Sequence, residues 1–223
     1  MKELRSRRKF IRHVGLSGIA ATVLAGCTKA ISNFKKDGTG PTTGVALGSG
    51  DTGLLNFAYA LEQMTSAFYT VIIADPYENI DSLALSRLTD IRDHEIAHRE
   101  FFKNLLGKNA IAALSFNFTS VNFAANSSVV TVAKTFEDWS VAAYNSIAAL
   151  FQDSEWLTIA GKIASVEARH AAYVGDIIGF GNFAAASVVN DIGQERDKSP
   201  ADILTLIQPY ITEILDGSAL PTT

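Results

Sequence analysis

The sequence predicts an all-α protein: a four-helix bundle with a long crossover between helix 2 and helix 3 and a short C-terminal fifth helix. Three observations predict it. Four segments carry apolar stripes that recur in steps of three and four residues, the period of a helix with one buried face. Residues 107–128, between the second and third stripes, have no helical period. Each stripe is interrupted, in phase, by glutamate or by glutamate and histidine, at positions where Leu or Ala would otherwise complete it.

The N-terminus is set apart from these segments. Residues 6–12, Ser-Arg-Arg-Lys-Phe-Ile-Arg, resemble the twin-arginine export signal, with Arg7 and Arg8 as its arginine pair. A modest apolar stretch from Val14 to Ala25 is too short to span a bilayer and suits a signal h-region. It ends in Leu24-Ala25-Gly26-Cys27, which resembles a lipobox, with Cys27 as the lipid acceptor. Residues 1–27 are therefore expected to engage the twin-arginine export machinery. The mature protein is expected to be exported and anchored through its lipid on the periplasmic face of a bacterial membrane. Residues 28–50, with scattered Lys, Gly and Thr and with Pro41, read as a flexible tether.

Composition narrows the possibilities. The chain has 223 residues, 48% of them hydrophobic, enough for one domain with a real core. Its formal net charge is −4; residues 1–26 carry a net +5, so the remainder carries −9. An acidic remainder without a Lys/Arg cluster argues against nucleic acid as a partner. Cys27 is the single cysteine, which excludes both a disulfide scaffold and a thiolate metal site.

The bundle is expected over residues 51–180. Helix 1 should run from about Gly53 to Ile73, with Leu55, Tyr59, Glu62, Ser66, Tyr69 and Ile73 inward and Asp75-Pro76 as its stop. Helix 2 should run from about Asp81 to Leu106, with Leu88, Ile91, Glu95, His98, Phe102 and Leu105 inward and Gly107 closing it. The aromatic- and Asn-rich stretch that follows reads as a crossover packed on the bundle, since no partner strand is evident and helix 3 must start at the end where helix 2 began. Helix 3 should run from about Val129 to Phe151, with Ala133, Glu137, Ser140, Tyr144, Ala148 and Phe151 inward. Helix 4 should run from about Ser154, its N-cap, to Ile178, with Ala160, Ile163, Glu167, His170, Val174 and Ile177 inward. Residues 181–223 form a tail. Ser199-Pro200 should cap a short fifth helix with the stripe Ile203, Leu204, Ile207, Ile211, Ile214 and Leu215, kinked or broken at Pro209 and closed by Gly217. That stripe is expected to cover the bundle or a second copy of the chain, which would make a homo-oligomer.

The chemistry lies in two Glu-x-x-His pairs, Glu95-Ile96-Ala97-His98 and Glu167-Ala168-Arg169-His170. Glu62 precedes the first pair by 33 residues and Glu137 precedes the second by 30. Residues three apart share a helical face, so each Glu and His can reach one ion. Four carboxylates buried alone would protonate or disrupt the core, whereas two divalent ions would balance their charge. Oxygen donors with two imidazoles suit Fe or Mn. His94 is expected to face solvent or a neighbouring helix.

This order of ligands, Glu62, Glu95-x-x-His98, Glu137, Glu167-x-x-His170, resembles that of the ferritin-like di-iron carboxylate proteins, a pattern long attached to four-helix bundles. The segment Phe136 to Tyr144 is similar to the third helix of a bacterial branch that includes desiccation-related proteins. The resemblance covers about residues 51–180. It implies two Fe ions, or Mn in their place, with Glu62 and Glu137 as terminal ligands, Glu95 and Glu167 as bridges and one histidine on each metal. Tyr69 and Tyr144 each lie seven residues after a terminal glutamate. A tyrosine there either donates a hydrogen bond to a ligand or supplies an electron during oxygen reduction, or is an ordinary core aromatic; the first two readings weigh more at Tyr69 than at Tyr144. Two functions are expected in competition. One is a redox enzyme acting on O₂ or peroxide, of ferroxidase or peroxidase type. The other is a non-catalytic stress or desiccation protein with structural metals. Iron storage in a closed cage ranks below both, because a lipid on every subunit is hard to reconcile with a soluble shell.

Overall fold

The computed structural model describes residues 44–222. Arg7, Arg8, Cys27 and most of the tether lie outside the described residues. A short strand β1 (Gly44–Ala46) leads into helix α1 (Gly50–Ala74). Helices α2 (Ser82–Leu106), α3 (Asn126–Ala148) and α4 (Ser154–Ile178) complete the bundle. Helix α5 (Pro200–Ile207) and strand β2 (Ile214–Asp216) form the C-terminal tail. No described helix is long and apolar enough to cross a membrane.

Local chemistry sets the helix ends. The Asp81 carboxylate accepts from the backbone N–H groups of Leu83 and Ala84, and Gly107 ends α2 at φ 53, where glycine carries no steric penalty. Helix α4 is capped by Asp153, which accepts from Glu155 N–H, one residue earlier than the expected cap Ser154. Ser199 accepts from Asp202 N–H and Pro200 opens α5, as the sequence indicates.

The bundle is two helical hairpins, α1 with α2 and α3 with α4, with α1 also against α3 and α2 against α4. Asp51, in the first turn of α1, accepts from the N–H groups of Gln152 and Asp153 between α3 and α4. The start of α1 therefore meets the end of α3, and these two helices are antiparallel. The crossover from α2 to α3 must then return along the bundle, as the expected topology requires.

Helix α1 departs from the one-faced pattern. It is buried on nearly every side, polar residues Asn56, Gln63, Thr65 and Ser66 included. The crossover covers its second face. Asn56 accepts from Ile111 N–H and donates to the carbonyls of Leu47 and Asn109; Gln63 accepts from Leu114 N–H. The crossover's Phe118 meets Phe68 edge-on at 5.5 Å, and Tyr210 of the tail meets Phe136 at 4.7 Å.

Two expectations need correction. Residues 44–49, assigned to the tether, instead carry β1, which pairs in parallel with β2 through Val45 and Leu215, and Leu47 is fully buried. The stripe beyond Pro209 is not helical. The chain passes through a 3₁₀ turn, Gln208–Tyr210, then Ile211 bridges Phe116 and residues 214–216 alternate exposed, buried, exposed. Proline cannot donate the helical hydrogen bond, and the same Ile/Leu spacing then serves an extended chain. The crossover's partner, which its sequence alone does not reveal, is this tail. Ile203 and Ile207 are fully buried against the chain's own bundle, so the tail helix covers it within one subunit.

Candidate metal centre

The six expected donors converge. Glu62 comes from α1, Glu95 and His98 from α2, Glu137 from α3, and Glu167 and His170 from α4. All four glutamates are buried, three of them with no exposed surface, and His170 is 5% exposed. Their donor atoms fall into two overlapping sets: Glu62, Glu95, His98 and Glu167 in one, and Glu95, Glu137, Glu167 and His170 in the other. Within each set the atoms lie within 4.8 Å of one another. Glu95 and Glu167 belong to both.

Antiparallel helices make the arrangement reciprocal. His98 Nδ1 on α2 lies 2.9 Å from Glu167 on α4, and His170 Nδ1 on α4 lies 3.0 Å from Glu95 on α2. His98 Nδ1 also lies 3.6 Å from Glu62, and His170 Nδ1 lies 3.5 Å from Glu137. Tyr69 on α1 donates to Glu137 Oε1 on α3 at 2.5 Å, while Tyr144 on α3 donates to Glu62 Oε1 on α1. Each tyrosine thus serves the glutamate of the other helix. The unequal weight expected for Tyr69 and Tyr144 gives way to equal placement.

The remaining donor atoms decide what the cluster suits. Among the described residues, the buried side-chain atoms without a hydrogen-bond partner are Glu62 Oε2, Glu95 Oε1, His98 Nδ1, Glu137 Oε2, both Glu167 oxygens and His170 Nδ1. Every one belongs to the six. The imidazole–carboxylate approaches have ion-pair distances without hydrogen-bond direction. Buried polar atoms are nearly always paired, so seven orphans facing one centre are a donor set, and the residues fit metal ions there.

Electrostatics show how strained the cluster is when only protons fill it. Burial, then repulsion from Glu95 and Glu167, pushes Glu62 well above the usual carboxylate range despite His98. Burial and Glu95 raise Glu137 to about 8, against the pull of His170. Burial also disfavours the charged form of Glu167, but two imidazoles outweigh it and hold this carboxyl at about 2. Burial opposes charge on His98 too, yet Glu62 and Glu167 lift it to about 11. His170 is raised in the same way by Glu137, Glu167 and Glu95. Tyr69 and Tyr144 are raised well above the phenol range, first by burial and then by the glutamates they contact.

Two neighbours of the centre are not evident from the sequence. Thr65 Oγ1 donates to Glu95 Oε2 at 2.5 Å. Its only signal is a polar residue three places after Glu62, on the same helical face. His94 is exposed, as expected, but its Nδ1 lies 3.0 Å from Nε2 of His170. His94-Glu95-Ile96-Ala97-His98 also spells the His-Glu-x-x-His pattern of zinc hydrolases, in which both histidines bind one ion. Here His94 belongs to neither donor set and meets the far nitrogen of His170 instead.

Residues 50–179 match the family model of the ferritin-like domain. No curated protein matches the chain.

Proposed function

Because the chain belongs to the ferritin-like domain family, we propose that it holds a dinuclear Fe or Mn centre and uses it to oxidise substrates with O₂ or peroxide, as a ferroxidase or peroxidase does. Glu62 and His98 would hold one ion and Glu137 and His170 the other, with Glu95 and Glu167 between them. The observation that carries this reading is the set of seven orphaned donor atoms, all from these six residues. The bound metal would supply electrons to O₂ or peroxide. The protein keeps the terminal carboxylates oriented through Tyr69 and Tyr144, aims Glu95 through Thr65, and excludes bulk water. Tyr69 also stands in hydrogen-bond contact with a terminal ligand, where a phenol can give up an electron and proton together.

A second reading, a structural metal in a stress or desiccation protein, is favoured by the closure of the site: Glu95, Glu137 and Glu167 have no exposed surface. Elemental analysis of the natively exported protein, followed by stopped-flow mixing with O₂ and peroxide, separates the two. Bound Fe or Mn with rapid consumption of either oxidant supports the enzyme. Bound metal that consumes neither, with unfolding on its removal, supports the structural role. A folded protein that takes up no metal would sink both.

The setting is part of the proposal. Export through Arg7 and Arg8 and lipidation at Cys27 rest on the order of basic, apolar and small residues before that cysteine. The natural protein should incorporate labelled fatty acid and Cys27→Ser should not. Incorporation by neither protein, or by both alike, would count against lipidation at Cys27.

A further inference from the structure

We propose that His94 is a positioning residue for this centre: it accepts the Nε2–H of His170 and thereby commits the Nδ1 lone pair of His170 to metal. The inference rests on the metal-binding reading above. A neutral imidazole carries one proton, on one nitrogen or the other. His170 Nδ1 faces Glu95 at 3.0 Å, Glu137 at 3.5 Å and Glu167 at 3.6 Å. A metal ion among those carboxylates needs that nitrogen unprotonated, so the proton must sit on Nε2. The partner of Nε2 is His94 Nδ1, at 3.0 Å. The ring planes differ by 11° and the centroids are 5.2 Å apart, which with so short an N···N contact places the rings end to end. That is the arrangement of an in-line N–H···N hydrogen bond. The reverse polarity, with His94 donating, would put the proton of His170 on Nδ1 and close it to metal.

The support is one-sided. His98 occupies the reciprocal place, yet among the described residues its Nε2 has no such partner. The two halves of the centre, alike in their carboxylates and tyrosines, therefore differ in how firmly the histidine is held. Groups that accept the outer N–H of a ligating histidine fix its tautomer and orientation, and losing one typically weakens metal binding about 10–100-fold. The Glu137/His170 half should be the tighter of the two, and it should owe that difference to a side chain that touches no metal.

The test is cobalt(II) titration of the full chain against a competing chelator, read by the visible Co(II) bands. It compares the natural protein with His94→Leu and His94→Asn. Because His94 is exposed, neither change disturbs the core. The natural protein should bind two equivalents with unequal affinity. His94→Leu should weaken the tighter equivalent by about 10–100-fold, shift its bands and leave the other unchanged. His94→Asn, whose amide oxygen stands near the place of Nδ1, should recover most of the loss. Two equivalents bound by His94→Leu as in the natural protein would overturn the proposal and leave the metal centre standing. An equal loss on both equivalents, or a loss that His94→Asn fails to recover, would overturn it as well. If the natural protein takes up no cobalt, the metal-binding reading falls and this proposal with it.

Discussion

The tyrosine–glutamate contacts are the most direct way to probe the centre from a single side chain. Tyr69 and Tyr144 are both fully buried, and each satisfies one oxygen of a glutamate whose other oxygen is orphaned. Tyr69→Phe keeps the ring and removes the donor, leaving Glu137 Oε1 without a partner in the core. An unpaired buried acceptor costs about 1–3 kcal/mol. Thermal unfolding of Tyr69→Phe should show a loss of that order, and Tyr144→Phe should match it, because the two contacts are related by the same antiparallel geometry. A loss confined to one of the two would argue that the halves are not equivalent at the terminal carboxylates. The sequence makes the six donors legible because their phase within each stripe is a property of one helix. It does not show that Tyr69 answers to Glu137 rather than Glu62, nor that Thr65 and His94 join the network. Those pairings depend on how neighbouring helices are rotated and set against one another, which periodicity within a single helix does not encode.

The helices themselves are legible for the same reason, and the connections much less so. Helix α4 spans the expected residues, and α1 and α3 differ from expectation by a few residues at their ends. What the stripes miss is the second covering of α1. Its polar positions Asn56 and Gln63 look like a solvated face, yet they are buried because each meets backbone groups of the crossover. The tail stripe misleads in the opposite sense, since Ile211, Ile214 and Leu215 fit a helical period but lie beyond a proline. Gly53 reports on how these pieces close over the start of α1. A Cβ there would stand 2.6 Å from the Gly48 carbonyl oxygen and 2.9 Å from Leu220. The backbone atom cannot yield as a side chain can. Gly53→Ala should therefore destabilise the fold by about 1–3 kcal/mol despite alanine's better helix propensity. Hydrogen exchange should show faster opening at residues 44–49 and in the tail, while the middle of α4 stays protected. A stability gain would mean that the β1–β2 strap does not bear on α1.

At the scale of the whole fold, protons and the proposed metal would compete for the same atoms, and stability should then depend on pH in opposite ways with and without metal. With a chelator present, the raised groups favour folding only while they hold protons. Glu137 contributes fully below its ordinary 4.5, and its contribution is lost as pH climbs through about 8. His98 contributes fully below 6.5 and loses its contribution as pH rises through about 11. Glu62 and His170 are raised too and carry the same sign. Among the six donors Glu167 alone is depressed, so its contribution is present above 4.5 and is lost only as pH falls toward about 2. His94, lowered by burial and then by His170 and His98, has the sign opposite to the raised groups, and as one group against four it blunts the trend only in the acid half of the range. Between pH 5 and pH 9, therefore, the chelated protein should lose stability as pH rises. Metal reverses the slope, because binding must displace protons from Glu62, Glu137 and the Nδ1 atoms of both histidines, and affinity grows as those protons become easier to remove. At a free metal concentration about a hundredfold above Kd, binding adds about 2.7 kcal/mol. Thermal melts between pH 5 and pH 9 should give two curves that diverge toward alkaline pH, and an indicator dye should record proton release on metal addition near pH 7. A chelated protein that gains stability with pH over this range would mean that the four glutamates do not share one buried centre.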